Sequence, residues 1–238
     1  MKIFKHLGLT LLTLLFITLS SVLATPTFEN TSATKNLIEQ GQIYYDAGRF
    51  TEAVNLLKRA ASIYQADGDK LNQAMSLSNI SLAYQKLGKW QEAEQLIDLS
   101  LNLLQNLAKN KIYAQSLDIK GNLQFSQGEF ENSIVNWQYA EKIYRQLNLQ
   151  PALIQSRINQ AQAMQALGLF LKAQKTLNSV RKSVEKQPNS ALKSVSLRSV
   201  GDVLRIIGSL DESKKVLLQS LNIASSVKAD REIAETLI

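Results

Sequence analysis

A three-residue turn signature recurs along this chain at a fixed step of 40 residues. Gly48-Arg49-Phe50, Gly88-Lys89-Trp90, Gly128-Glu129-Phe130, Gly168-Leu169-Phe170 and Gly208-Ser209-Leu210 are five successive copies. Other columns keep the same step. Small residues recur at Gly41, Ser81, Gly121, Ala161 and Gly201, and again at Ala53, Ala93, Ser133, Ala173 and Ser213. Large apolar residues recur at Leu57, Ile97, Trp137, Leu177 and Leu217. Leu37, Leu77, Leu117 and Leu197 form a further column that Arg157 interrupts. Self-similarity at a period of this length marks an array in which each unit buries its apolar face against its neighbours.

Each copy reads as two helices, because its apolar residues fall three and four apart, as one buried stripe requires. In the second copy the spacing predicts a first helix over about 71–87 and a second over about 90–107. The glycine before the turn suits a left-handed residue that stops the first helix. Glu52, Glu92, Glu131 and Glu212 then sit in the first turn of the second helix, where a carboxylate complements the helix dipole. Gly68-Asp69, Asn110, Pro151 and Pro188-Asn189 are the breakers expected between copies. The small columns imply close helix crossings, which the large column fills. A bulky replacement at Ala93 is expected to cost about 1–3 kcal/mol by overpacking.

Composition supports helices and excludes several kinds of chemistry. Only 10 Gly and 3 Pro occur in 238 residues, too few to punctuate a many-stranded sheet protein. There is no Cys, and the single His is His6. Disulfides, thiolate nucleophiles and His-ligated metals are therefore not expected beyond the first few residues. No phosphate loop, dinucleotide fingerprint or metal-ligand spacing occurs. Asp67 and Asp69 read as turn residues. The expectation is a non-enzyme without cofactor or metal.

The N terminus has the layout of an export signal. Lys2 and Lys5 precede an apolar run from Leu7 to Leu19, and Val22 and Ala24 occupy small-residue cleavage positions. The expected organisation is a signal peptide over 1–24, a flexible linker over 25–33, and the repeat array over 34–238. The expected location is secreted or periplasmic, with no membrane contact after cleavage. A retained anchor using Leu7 to Leu23 is the alternative. Residues 25–120 carry ten basic and ten acidic side chains, whereas 121–238 carry fifteen and ten. That modest excess, without interleaved aromatics, does not suggest a nucleic-acid partner.

At the columns quoted above the chain resembles the tetratricopeptide repeat (TPR) family. That family alternates a large apolar residue, a small residue, an aromatic and a glycine in its first helix, with two small positions in the second. The first copy supplies Leu37, Gly41, Tyr44, Gly48, Ala53, Leu57 and Ala60; the second supplies Leu77, Ser81, Tyr84, Gly88, Ala93, Ile97 and Ser100. Later copies drift, with Gln124, Met164 and Leu204 in the aromatic column, and the family's closing proline is absent. The period is 40 rather than 34, which resembles the extended TPR subclass of kinesin light chains. HEAT repeats share the period but lack this turn and alanine column. The segments 68–85 and 156–163, placed after a leader, also look like the N-terminal part of cyanobacterial TPR–CHAT proteins. CHAT domains are caspase-like and use a Cys–His pair, which this chain does not supply after its leader.

The resemblance implies an all-α fold, a right-handed solenoid of stacked antiparallel helix pairs whose first helices line an inner groove. It implies a protein or peptide partner held by Asn79, Gln85, Asp118, Asn122 and Phe125 in copies two and three, and by Asn159, Gln162, Gln165, Arg198, Asp202 and Arg205 in copies four and five. Gln155 belongs to the same set. Amides offer donors and acceptors together, which suits an extended peptide backbone. Arg198 and Arg205 offer a grip for a carboxylate, while Asp202, four and three residues away, is placed to pair with both. The lysine of the chaperone-binding carboxylate clamp is replaced by Ile38, Ser78, Asp118, Ile158 and Arg198, so chaperone tails are not expected partners. Arg157 is expected to snorkel to solvent or to reach a partner. Residues 231–238 match the start of a sixth first helix, with Ala234 and Leu237 in register. Without a polar cap, that end suggests a homo-oligomer contact or a longer parent chain.

Overall fold

The computed structural model describes residues 28–107, 110–230, 233 and 236. The leader over 1–24 lies outside them, as do Ala234 and Leu237. Among the described residues the chain forms ten α-helices, one short 3-10 helix and no strand. They pair as α1 (Phe28–Asp46) with α2 (Phe50–Ala66), α3 (Lys70–Lys86) with α4 (Trp90–Leu103), and α5 (Lys111–Ser126) with α6 (Phe130–Gln146). Then follow α7 (Gln150–Ala166) with α8 (Phe170–Glu185), and α9 (Ala191–Ile206) with α10 (Leu210–Ser226). Each helix packs on the next in the chain, and first helices also meet across copies, α3 on α5 and α7 on α9. The result is the stacked, all-α repeat array that the 40-residue period demands.

The turn inside each copy is the same object five times. Gly48, Gly88, Gly128, Gly168 and Gly208 all have positive φ, between 69° and 83°. The amide after each glycine bonds back five residues, as Arg49 does to the Tyr44 carbonyl at 2.8 Å and Ser209 to the Leu204 carbonyl at 2.9 Å. This is the Schellman closure, and it needs a residue that tolerates the left-handed region. The turns between copies vary. Gly68, Asn148 and Lys228 build the same closure (φ 71°, 55° and 54°), with Asp69, Leu149 and Ala229 bonding back to Tyr64, Tyr144 and Ala224. Between copies two and three, α4 ends early and Gln105–Leu107 turn as a 3-10 helix, after which Asn110 caps α5 through the Tyr113 amide (2.8 Å). Between copies four and five, Ser190 caps α9.

Three expectations change. Residues 28–33, expected within a linker, are helical and extend α1, since no breaker follows Pro26 and lengthening a formed helix adds one hydrogen bond per residue. Pro151 is not in the turn but in the first turn of α7, where a missing amide costs nothing; Asn148 makes the turn. The second helix of copy two stops at Leu103 rather than near 107, and the buried Leu104 follows it.

Small and large columns interlock as their alternation implies. A β-carbon on Gly121 would lie 2.6 Å from Trp137 Nε1, and one on Gly201 would lie 2.7 Å from Leu217. Gly41 faces Leu57 more loosely, at 3.0 Å. Where a serine takes a small position its hydroxyl is satisfied, by its own helix at Ser133 (Phe130 carbonyl, 2.7 Å) and across the crossing at two others. Ser81 donates to the Ala93 carbonyl (2.7 Å) and Ser213 to the Gly201 carbonyl (2.7 Å). Burying a hydroxyl is tolerable only with such a partner.

Candidate functional site

First helices of a stacked array carry two kinds of residue, those that meet the second helices and those left facing outward from the crossing. In copies one to four the outward positions hold amides at an unusual density: Gln42, Asn79, Gln85, Gln115, Asn122 and Gln155, followed by Asn159, Gln162 and Gln165. Two pockets of about 490 and 330 Å3 lie among them and share Leu82 as a common wall.

The larger pocket is lined by α1, α3, α5 and α7 with Tyr144 from α6. Its polar rim is Gln42, Asn79, Gln115 and Gln155, and its apolar wall includes Met75, Leu82, Ile112 and Ile119. The smaller pocket takes Gln85 and Lys86 from α3, Asn122 and Phe125 from α5, and Asn159 and Gln162 from α7, with Trp90 and Trp137 as aromatic walls. Phe125 packs edge-on to Phe130 (5.3 Å between ring centres) and against Trp137 (5.9 Å), so its ring is held by its neighbours.

Several amides are already joined, two of them across copies and one within α7. Gln85 Nε2 donates to the Ile119 carbonyl (3.3 Å), Gln155 Nε2 to Asn159 Oδ1 (2.8 Å), and Asn159 Nδ2 to Asn122 Oδ1 (3.5 Å). Each amide has capacity for further bonds. Gln165 is half-buried on α7 outside both pockets. Arg198, Asp202 and Arg205 lie on α9 and line neither pocket. Arg205 instead borders a separate 330 Å3 pocket with Leu210, Leu217, Leu218 and Leu221 of copy five. The structure therefore splits the expected groove residues into one contiguous amide-lined set and a second set on α9, with Gln165 in neither.

Asp118 differs from the amides. Its Oδ2 accepts from Tyr144 Oη (2.7 Å) and its Oδ1 from Ser156 Oγ (2.8 Å), tying α5 to α6 and α7. Burial pushes the carboxyl up to about 6, against the lowering effect of those two hydroxyls. Tyr144 is raised in turn by burial and by the carboxylate beside it. At the same junction Glu141 accepts from Arg157 Nε (2.9 Å) and Gln160 Nε2 (2.9 Å) and also pairs with Arg145. Burial alone would raise Glu141; the Gln160 and Arg157 bonds and the two guanidinium charges outweigh it and hold the carboxyl below its ordinary value. Arg157 therefore neither snorkels nor reaches outward. An acceptor five residues before the end of α6 captures it, which its own column gives no hint of.

Gln42, Met75, Leu82 and Gln115 escaped the sequence reading, although Gln42 shares a column with Asn122 and Gln162, and Gln115 with Gln155. Extending each column to every copy would have found them. Tyr144 and Ser156 offered no such signal, because they join Asp118 from a different helix and a different copy. Among the described residues no group of three or more His, Cys, Asp or Glu side chains is placed to hold a metal, and no helix is long and apolar enough to cross a membrane.

Residues 31–106 match the tetratricopeptide repeat family model. No curated protein is matched by the sequence as a whole. Among solved structures, the fold is similar to the nearly identical TPR-like repeats assigned to a Podosopora anserina kinesin light chain, with TM-score 0.67 and 20% identity over 82% of this chain and 97% of that one. It is similar to a Rap protein complexed with Competence and Sporulation Factor, with TM-score 0.71 and 14% identity over 87% of this chain and 60% of that one. A third likeness is to a Pyrococcus horikoshii signal-transduction ATPase of the STAND class with a tetratricopeptide repeat sensor. There the TM-score is 0.72 and the identity 13%, over 87% of this chain and 32% of that one. At these identities the likeness establishes a TPR-like solenoid fold.

Proposed function

We propose that this chain is a non-catalytic scaffold, exported from the cytoplasm, that holds an extended stretch of another polypeptide against the first helices of copies one to four. The observation that carries the reading is the pair of adjoining pockets, walled by side-chain amides from four successive copies. An extended peptide presents a donor and an acceptor at nearly every residue, and an amide side chain answers both. Lys86 is the one charged side chain in the smaller pocket and Asp118 the one in the larger. Backbone contacts should therefore dominate, and binding should respond weakly to salt. The leader-like residues Met1 to Ala24 support export.

The test is recovery of a partner from a cell-envelope extract by the wild-type chain and by a double Asn122→Leu, Asn159→Leu variant of equal stability. The expected result is a loss of at least tenfold in the variant. Equal recovery would overturn the groove assignment. Mass analysis of the exported protein should give Thr25 as the first residue; a membrane-bound product keeping Met1 would replace cleavage by anchorage.

A second reading makes the array the recognition arm of a TPR–CHAT-type protein. Two observations favour it: the likeness of segments 68–85 and 156–163 to that class, and the solved neighbour in which a TPR array serves as the sensor of a signal-transduction ATPase. A reading frame that continues the repeats into a CHAT domain would support it. Unrelated sequence downstream would remove it.

A further inference from the structure

Asp118 is the single charged side chain lining the 490 Å3 pocket, and Tyr144 is the one other titratable group there. The elements packed around it bring hydroxyls and amides rather than cations. Tyr144 comes from α6 and Ser156 from α7, with Ser78 and Asn79 from α3 and Gln42 from α1 along the lining. No Lys or Arg forms an ion pair with it among the described residues. A carboxylate accepts about four hydrogen bonds, so the two hydroxyl donors leave roughly half of that capacity open. At neutral pH the group is ionised even with its raised pKa, a partly buried negative charge without a counter-ion, which is a costly arrangement.

The stack does not need a charge at this place. The same column holds Ile38 and Ile158, and Ile158 is buried. Ser78, one copy earlier, closes its junction with neutral bonds to Ser100 and Ser116 (2.8 Å each). Asp118 is the one carboxylate in its column, and beyond the hydroxyls of Tyr144 and Ser156 it faces a cavity large enough for a long side chain, with apolar walls for the stem.

We propose that this pocket is a subsite for the primary ammonium group of a Lys side chain of a guest polypeptide, which pairs with Asp118 while its alkyl stem lies along Met75, Leu82, Ile112 and Ile119. The inference takes its guest from the peptide-binding reading, and its chemistry from the unpaired carboxylate alone.

The two are separable by experiment on the full chain. Pentylammonium is titrated at pH 7.5 while the side-chain amide resonances of Gln42, Asn79 and Gln115 are followed by NMR, with 1-pentanol as the uncharged control. The expected result is saturable shifts with pentylammonium at least tenfold tighter than with pentanol. The Asp118→Asn variant, which keeps the side chain's shape, should abolish that difference. The ammonium preference should also fade as pH drops through about 6, where the carboxyl takes up its proton. Equal response to the two probes, or a preference that survives Asp118→Asn, would overturn the subsite. A parallel titration uses acetylated, amidated nine-residue peptide pools of uncharged residues with either Lys or norleucine at the centre. Preference for the Lys pool supports the subsite; equal binding of both pools overturns it while leaving the groove standing. If neither pool binds but the pentylammonium response persists, the ammonium site stands and the peptide groove falls.

Discussion

The junction between copies three and four and the junction between copies four and five occupy equivalent places in the array and are closed by opposite means. At the first, Asp118, Tyr144 and Ser156 meet through two short hydrogen bonds, and Glu141 gathers Arg145, Arg157 and Gln160. At the second, the positions 40 residues on are Ile158, Val184 and Ser196, with Val180 beside them, and the three apolar side chains join one buried cluster with Leu197 and Val200. Ser196 turns back to its own helix, bonding the Leu192 carbonyl (2.8 Å). Where copy three has Glu141, copy four has Arg181, which reaches Glu212 (3.1 Å) and Glu185 (3.8 Å). One backbone geometry thus accepts a polar or an apolar filling, provided each buried polar atom finds a partner. The polar junction carries a buried carboxyl with a raised pKa, and the equivalent position of the other junction is Ile158.

The largest effect should come from removing the hub. Glu141→Ala leaves the half-buried Arg157 and the buried Gln160 without their acceptor and should lower unfolding free energy by about 3 kcal/mol. Arg181→Ala should cost only about 1 kcal/mol, since Arg181 Nε has no hydrogen bond to lose and its carboxylate partners are more exposed. Urea denaturation of both variants measures the contrast, and equal losses would break it.

Next in size is the response to pH. The folded-state pKa of Asp118 lies above its unfolded value, so its proton stabilises the fold fully below about 3.8, and that stability is lost as pH rises through about 6. Asp118 alone should account for a loss of about 2–3 kcal/mol across that window. Asp118→Asn should recover about 2 kcal/mol at pH 8 and change little at pH 4. Ile158 offers no counterpart, so a pH-stability profile left unaltered by Asp118→Asn would show that the carboxyl is not the source.

Crossings give the next prediction. Gly121→Ala, with its β-carbon driven against Trp137, should cost about 1–3 kcal/mol, whereas Gly41→Ala meets the movable end of Leu57 and should cost under about 1 kcal/mol. Thermal unfolding of the pair ranks them; the reverse order would mean that copy three relaxes more readily than its ring contacts suggest. Smallest is the cap. Ser190→Ala, which removes the Oγ bond to the Lys193 amide, should cost about 1 kcal/mol or less, and amide exchange at the start of α9 would register it first.

The amino-acid sequence by itself determined the period, the pairing of helices, the five left-handed glycines and the matching of Gly121 to Trp137. All of these are repeated columns, and a repeated column reports a backbone requirement that every copy shares. The family resemblance pointed to Asn79, Gln85, Asn122, Gln155, Asn159 and Gln162, while Gln42 and Gln115 went unmarked. The partners of Asp118 and Arg157, the turn at Asn148 and the separation of Arg198, Asp202 and Arg205 from the amide pockets were decided only by tertiary structure. The side-chain pairings depend on groups brought together from two or three different helices, which change from copy to copy, and the turn at Asn148 is a left-handed closure made without glycine.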